Sequence, residues 1–228
     1  MNEQKNTQEV CAHHPELCRD FTDPMALQRQ LRKNLKSHFD PVKTSLTFPR
    51  LEGGEFKLTL ADPNLLMAQV LESNTELNEI YSSIAATHGT GQQHPWNMII
   101  GFDEFTPGDG FKPLNFKKCM VVSFNFDHLE RRLLSSASTW FTPLVMRHHE
   151  LSRIEGGFAR VFRDYLRLHL LGPRGASNAG VPVKLGGIDR LIFVNLRYLL
   201  ADGDGWRIAL DWRGASCIKP CHYSLLRR

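Results

Sequence analysis

The chain lacks any apolar run near the roughly 20 residues a helix needs to cross a bilayer. Its opening, MNEQKNTQEV, has no apolar core of the secretory kind. Together these absences argue against a membrane-spanning or secreted product, and the expectation is a nuclear or cytoplasmic protein. Cysteine is scarce: five residues, an odd number without a secretory leader, argue against a disulfide framework and leave reduced thiols or a metal site. Also missing are the phosphate loop G-x-x-x-x-G-K-[ST], the dinucleotide fingerprint G-x-G-x-x-G, the nucleophile elbow G-x-S-x-G and the zinc motif H-E-x-x-H. P-loop ATPases, kinases, Rossmann oxidoreductases, serine hydrolases and zincins lose support accordingly. No internal repeat or low-complexity tract is present.

What is present is enough apolar material for a core. Of 228 residues, 42% are hydrophobic, which rules out a disordered or collagen-like chain and fits one large domain, or one domain with a small appendage. The net charge of +4 conceals an asymmetry. Residues 140 to 228 carry 14 Lys/Arg against 7 Asp/Glu, whereas residues 1 to 139 carry 14 against 17. A basic C-terminal half fits a polyanion partner; solvated helix faces explain it equally well.

Punctuation and periodicity divide the chain. Asp23-Pro24 reads as a helix start, with Leu27, Leu31 and Leu35 repeating to Ser37, and Asp40-Pro41 as its end. Thr44–Phe48 and Glu55–Leu60 alternate about Glu52-Gly53-Gly54 as two strands. Asp62-Pro63 starts a second helix, and Leu77, Ile80, Tyr81 and Ile84 mark a third. Trp96–Phe105 is an apolar run of the buried-strand kind, with further strands at Cys119–Phe126 and Trp140–Met146. Ser152 and Glu155 form a capping-box pattern before a helix carrying Ile154, Phe158, Val161, Phe162, Tyr165 and Leu168 on one face. Gly172-Pro173 ends it, Gly175–Gly187 reads as a flexible connector, Arg190–Leu200 as a strand, and a short helix follows to Leu210. Three strands, a helix and a strand predict an α/β fold with a mixed sheet. The order suits a ribonuclease-H-like fold, in which the fourth strand joins beside the first. The expected division is a tail and helix over 1–43, an accessory α+β region over 44–95 and a core over 96–228.

Three places could carry chemistry. Asp103-Glu104 ends the Trp96–Phe105 run, and Asp202 and Asp204 follow the Arg190–Leu200 strand. Hard cations take carboxylate oxygens, and two-metal phosphoryl chemistry needs such groups to converge from different strands. The plain alternative is that these acids are turn residues. Cys217, Cys221 and His222 have ligand types suited to Zn²⁺, although C-x3-C leaves a site short of ligands; Cys11, His13, His14 and Cys18 form a second such group. Arg153, Arg160, Arg163 and Arg167 could grip phosphates from one helix face, or pair with nearby acids in solvent. His148-His149-Glu150 is a weaker metal candidate, because adjacent residues on a strand point to opposite faces.

The segments IIGFDEFTPGDGFKP, KKCMVVSFNF, WFTPLVMRHHELSRIEGG and LLADGDGWRIALDWRGASCIKPC together resemble the transposon-derived proteins abundant in dinoflagellate genomes, which are similar to CACTA-type and KDZ-type transposases. The resemblance covers roughly Thr44 to His222. It implies a ribonuclease-H-like catalytic core, Mg²⁺ as cofactor and DNA as partner. By position it makes Asp103 the first catalytic acid and Asp202 the second, with Asp204 as a nearby substitute. It also sets Cys221 as the first of a cysteine pair, with Arg213-Gly214 where Lys-Gly is usual. The chain departs from the pattern at Ser224, where the second cysteine should stand, with Cys217 as a substitute. It also reaches Arg228 without a third acid. The expectation is therefore a DNA-processing domain, weak or inactive as an enzyme. The alternatives are a non-catalytic nucleic-acid-binding relic and an unrelated α/β protein.

Overall fold

The structure, a computed structural model, describes residues 39–105 and 118–210. The chain forms two compact units, Met1–Val42 and Lys43–Arg228. The predicted helix at 23–37, the 106–113 loop, and the cysteine–histidine groups at 11–18 and 217–222 lie outside the described residues. Of the first unit, Asp40–Val42 is a 3-10 turn.

The second unit begins with a hairpin, β1 (Lys43–Pro49) against β2 (Glu55–Ala61), turning through Gly53 and Gly54. Alternation buries Phe48, Leu58 and Leu60 on one side. Helix α1 (Pro63–Ser73) starts where Asp62 accepts hydrogen bonds from the backbone N–H groups of Asn64 and Leu65, at 3.0 and 3.1 Å. Helix α2 (Thr75–His88) is capped likewise by Asn74. Next come β3 (Trp96–Phe105), β4 (Cys119–Phe126), the short α3 (Arg131–Leu134), β5 (Phe141–Arg147), and a helical turn α4 (His148–Leu151). Helix α5 (Gly157–Leu166) leads to a second hairpin, β6 (Val181–Leu185) with β7 (Ile188–Ile192), then β8 (Val194–Leu200) and α6 (Gly203–Ala209).

The main sheet is mixed, in the order β5-β4-β3-β8. β3, β4 and β5 are antiparallel, and β8 joins β3 in parallel. The predicted arrangement of three strands, a helix and a fourth strand beside the first is thus present. One face of the sheet packs on α5, where Phe102 meets Phe158 and Phe162 at ring distances of 5.8 and 4.8 Å. Phe48 and Leu60 of the first hairpin, Met67 of α1, Tyr81 of α2 and Trp96 and Phe124 of the sheet belong to one buried cluster. Residues 44–95 therefore share a core with the sheet. Within that core Tyr81 donates to Asn125 Oδ1 at 3.0 Å, and Asn125 Nδ2 donates to the Thr139 carbonyl at 3.1 Å.

Four sequence expectations are corrected. Residues 152–155 do not open a helix: Ile154 bridges Arg50, and the Glu155 N–H donates to the Pro49 carbonyl at 3.0 Å. Backbone committed to β1 in this way cannot start a helix, so α5 begins after Gly156, which sits at φ 81. The helix predicted to run to Gly172-Pro173 ends as α-helix at Leu166, because Arg167–Leu171 is a π turn, with Leu168 still packed against the core. The wider turn brings His169 and Leu170 into the core. Gly175–Gly187 is not a flexible connector. It contains β6 and a two-residue turn at Gly186-Gly187, φ 56 and 80, and Asn78 holds both Gly186 N–H and the Lys184 carbonyl. Finally, Arg190–Leu200 is two strands broken at Phe193.

The π turn depends on a close backbone approach. A Cβ at Gly175 would lie 2.2 Å from the Leu170 carbonyl oxygen. Gly175→Ala is expected to destabilise the protein by about 1–3 kcal/mol, read as a lower urea midpoint. A midpoint equal to the parent's would show that this approach is dispensable.

Candidate functional site

Burial along β3 fades towards its C-terminal end: Phe102 is buried and Asp103 exposed. Strand alternation puts Asp103 on the sheet face opposite Phe102 and α5. In the parallel ladder Gly101 pairs with Leu200. Asp103 is two residues past Gly101 and Asp202 two past Leu200, the last residue of β8, so the two acids are equally far in sequence from the last pair of the ladder. A register shift between Met98 and Ile99 makes this so, because β8 spends one extra residue, Arg197, there. Without that bulge the residue level with Asp103 would be Ala201.

The two acids line one open groove of about 620 Å³ at the carboxyl ends of β3 and β8, with Val121, Ser123, Leu200 and Trp206 among its other walls. Crevices beyond the carboxyl ends of parallel strands are where α/β sheets bind ligands. Asp103 Oδ1 accepts the Glu104 N–H at 2.7 Å. Asp202 Oδ1 caps α6 by accepting the Gly205 N–H at 2.6 Å. Neither carboxylate is paired with a Lys, Arg or His among the described residues. Each keeps a second oxygen uncommitted among those residues. No three His, Cys, Asp or Glu side chains among the described residues converge to hold a metal ion.

The other predicted residues are placed elsewhere. Glu104, adjacent to Asp103, is on the opposite face and pairs with Lys118 and with His148, the latter at 3.2 Å. His148, His149 and Glu150 form a helical turn rather than a strand. Asp204 stands in the first turn of α6. Arg153 pairs with Glu52 at 3.2 Å, and Arg163 and Arg167 share Asp164 at 3.3 and 3.4 Å. Arg160 is half-buried and its Nε has no hydrogen-bond partner. The arginines of α5 and its π turn lie in the layer behind the sheet, away from the Asp103 face. Sequence reasoning missed Trp206 and Ser123 as walls of the groove. Trp206 lies at the right distance from Asp202 for one helical turn, a signal that was available; Ser123 enters only through cross-strand pairing with Gly101.

No protein-family model, curated protein or solved structure matches the chain. Among the described residues no helix is long and apolar enough to cross a membrane.

Proposed function

We propose that residues 96–228 form a partial ribonuclease-H-like core of transposase ancestry, and that Asp103 and Asp202 hold a divalent cation against a DNA phosphodiester. The observation that supports this reading most is that two carboxylates unpaired among the described residues, Asp103 of β3 and Asp202 of the turn after β8, line one groove. The resemblance of the surrounding segments to transposon-derived proteins, and the sheet order β5-β4-β3-β8, support it further.

The donor set fits Mg²⁺, which keeps several waters and commonly takes only one or two protein carboxylates plus substrate phosphate. A bound Mg²⁺ would supply charge stabilisation at the phosphate and activation of an attacking water or 3′-hydroxyl. The chain's own contribution is positional. The Glu104 N–H fixes one oxygen of Asp103, the α6 cap fixes one of Asp202, and Trp206 walls the groove beside Phe102, with ring centroids 5.8 Å apart. With two carboxylates the site is expected to be weak, and turnover slow. Zn²⁺ at Cys217, Cys221 and His222 stays part of the proposal, as does DNA binding by the basic C-terminal half.

Mn²⁺ titration by calorimetry, with nicking of supercoiled DNA in Mg²⁺ or Mn²⁺, tests the reading. Saturable Mn²⁺ binding with metal-dependent nicking is expected. Salt-sensitive DNA binding without nicking would favour the non-catalytic alternative. Absence of Mn²⁺ binding at millimolar concentration would remove the proposal.

A further inference from the structure

A second groove, of about 700 Å³, runs between α2 and the segment after β4, and it holds a pair of histidines in contact. The rings of His88 and His128 are 4.2 Å apart, centroid to centroid. His88 closes the last turn of α2, and its Nε2 lies 3.3 Å from the Pro95 carbonyl. Because a carbonyl only accepts, Nε2 carries the proton there. His128 stacks at 5.8 Å on Trp96, whose indole N–H donates to the Gly89 carbonyl at 2.9 Å. The pair thus ties the end of α2 and the 89–95 loop to the sheet.

The surroundings suit neutral rings better than two charged ones. His128 Nδ1 is buried and, although 3.2 Å from Asp127 Oδ1, makes no aligned hydrogen bond. Asp127 is itself engaged by Arg197 of β8 at 3.0 Å. His94 of the 89–95 loop lies 6.3 Å from His88, and Glu130 and Arg132 stand on the groove rim. Burial, His88 and Arg197 hold the His128 imidazole below its ordinary range, with Asp127 opposing them.

We propose that the His88–His128 contact is an acid-sensitive latch, which holds the last turn of α2 and the 89–95 loop against the sheet until the His128 ring is protonated. In the opened loop the His128 imidazole is relieved of burial and of the His88 ring, and returns towards the ordinary histidine value, about 6.5. The latched His128 binds fewer protons, so opening becomes more frequent as pH falls below that value, by up to about tenfold per pH unit. This inference is independent of the carboxylate groove.

Native-state hydrogen exchange at pH 7.5 and pH 5.0, corrected for intrinsic rates, tests it. Useful reporters are the amides of Gly89, Gly91 and His94, bonded to the carbonyls of Ala85, Leu191 and Gly91. Their opening is expected to rise at least about tenfold at pH 5.0 relative to β4 amides, which report global unfolding. His128→Gln should abolish the rise; if that variant does not fold, His88→Asn should diminish it. An unchanged ratio in the parent protein, or an undiminished rise in a folded variant, would overturn the latch.

Discussion

Asp103→Asn is expected to weaken Mn²⁺ binding at least roughly a hundredfold and to abolish metal-dependent nicking, while leaving the urea midpoint where it was. The split between binding and folding follows from the position of the side chain. Asp103 is exposed, unpaired among the described residues, and on the sheet face away from α5. Asparagine keeps its shape and its acceptor oxygen for the Glu104 N–H, and removes only the charge. Asp202→Asn should behave the same way for a second reason. Asp202 caps α6, and asparagine caps a helix about as well as aspartate does. Parental Mn²⁺ affinity in both variants would mean that the two acids are turn residues and that their meeting in one groove has no chemical use.

Acid should unfold the protein through His169 more than through any other single described histidine. The ring is wholly buried, packed at 4.5 Å on Phe124 and bonded through Nδ1 to the Tyr165 hydroxyl at 3.1 Å. Burial pushes its pKa from 6.5 down to about 3. The unfolded chain therefore takes up a proton that the folded chain refuses. Stability is fully present above about pH 6.5, falls as pH drops, and has lost roughly 4–5 kcal/mol by about pH 3. About 2 kcal/mol of that should be gone at pH 5, measurable as a lower urea midpoint. His169→Gln keeps a hydrogen-bonding side chain without an ionisable group, so its midpoint should change less between pH 7 and pH 5. The same pH dependence in parent and variant would assign acid sensitivity to other groups.

Much of the architecture was legible because its causes are local. Asp-Pro pairs start helices by supplying a cap and a fixed φ, and α1 begins at Asp62-Pro63 for that reason. Alternation over residues 44–48 and 55–60 betrays a hairpin with one buried face, and the apolar run from Trp96 betrays a covered strand. The order of these elements sufficed to anticipate a mixed sheet. The errors have the opposite origin. Ser152–Glu155 carries a valid helix-start pattern, but Pro49 and Arg50, about a hundred residues away, claim its backbone groups. The phase of the α5 face is lost at the π turn, where the Leu170 carbonyl closes on Gly175 with no room for a Cβ.

The two acids show the same division. Local pattern was enough to put Asp103 at the end of a strand and Asp202 in the turn after another. Their meeting depended on a parallel pairing between β3 and β8 and on a single extra residue, Arg197, in that pairing. Side chains in a strand alternate with period two, so one added residue decides whether Asp202 or Ala201 stands level with Asp103. Nothing in residues 194–200 announces that bulge. It belongs to the contact between the two strands, with the Arg197 side chain drawn to Asp127 beyond the end of β4. Composition and periodicity therefore account for the first hairpin, α1, α2 and the strands β3 to β5, but not for the β6–β7 hairpin. Long-range pairing, which local sequence does not encode, accounts for the groove and for the carboxylates that share it.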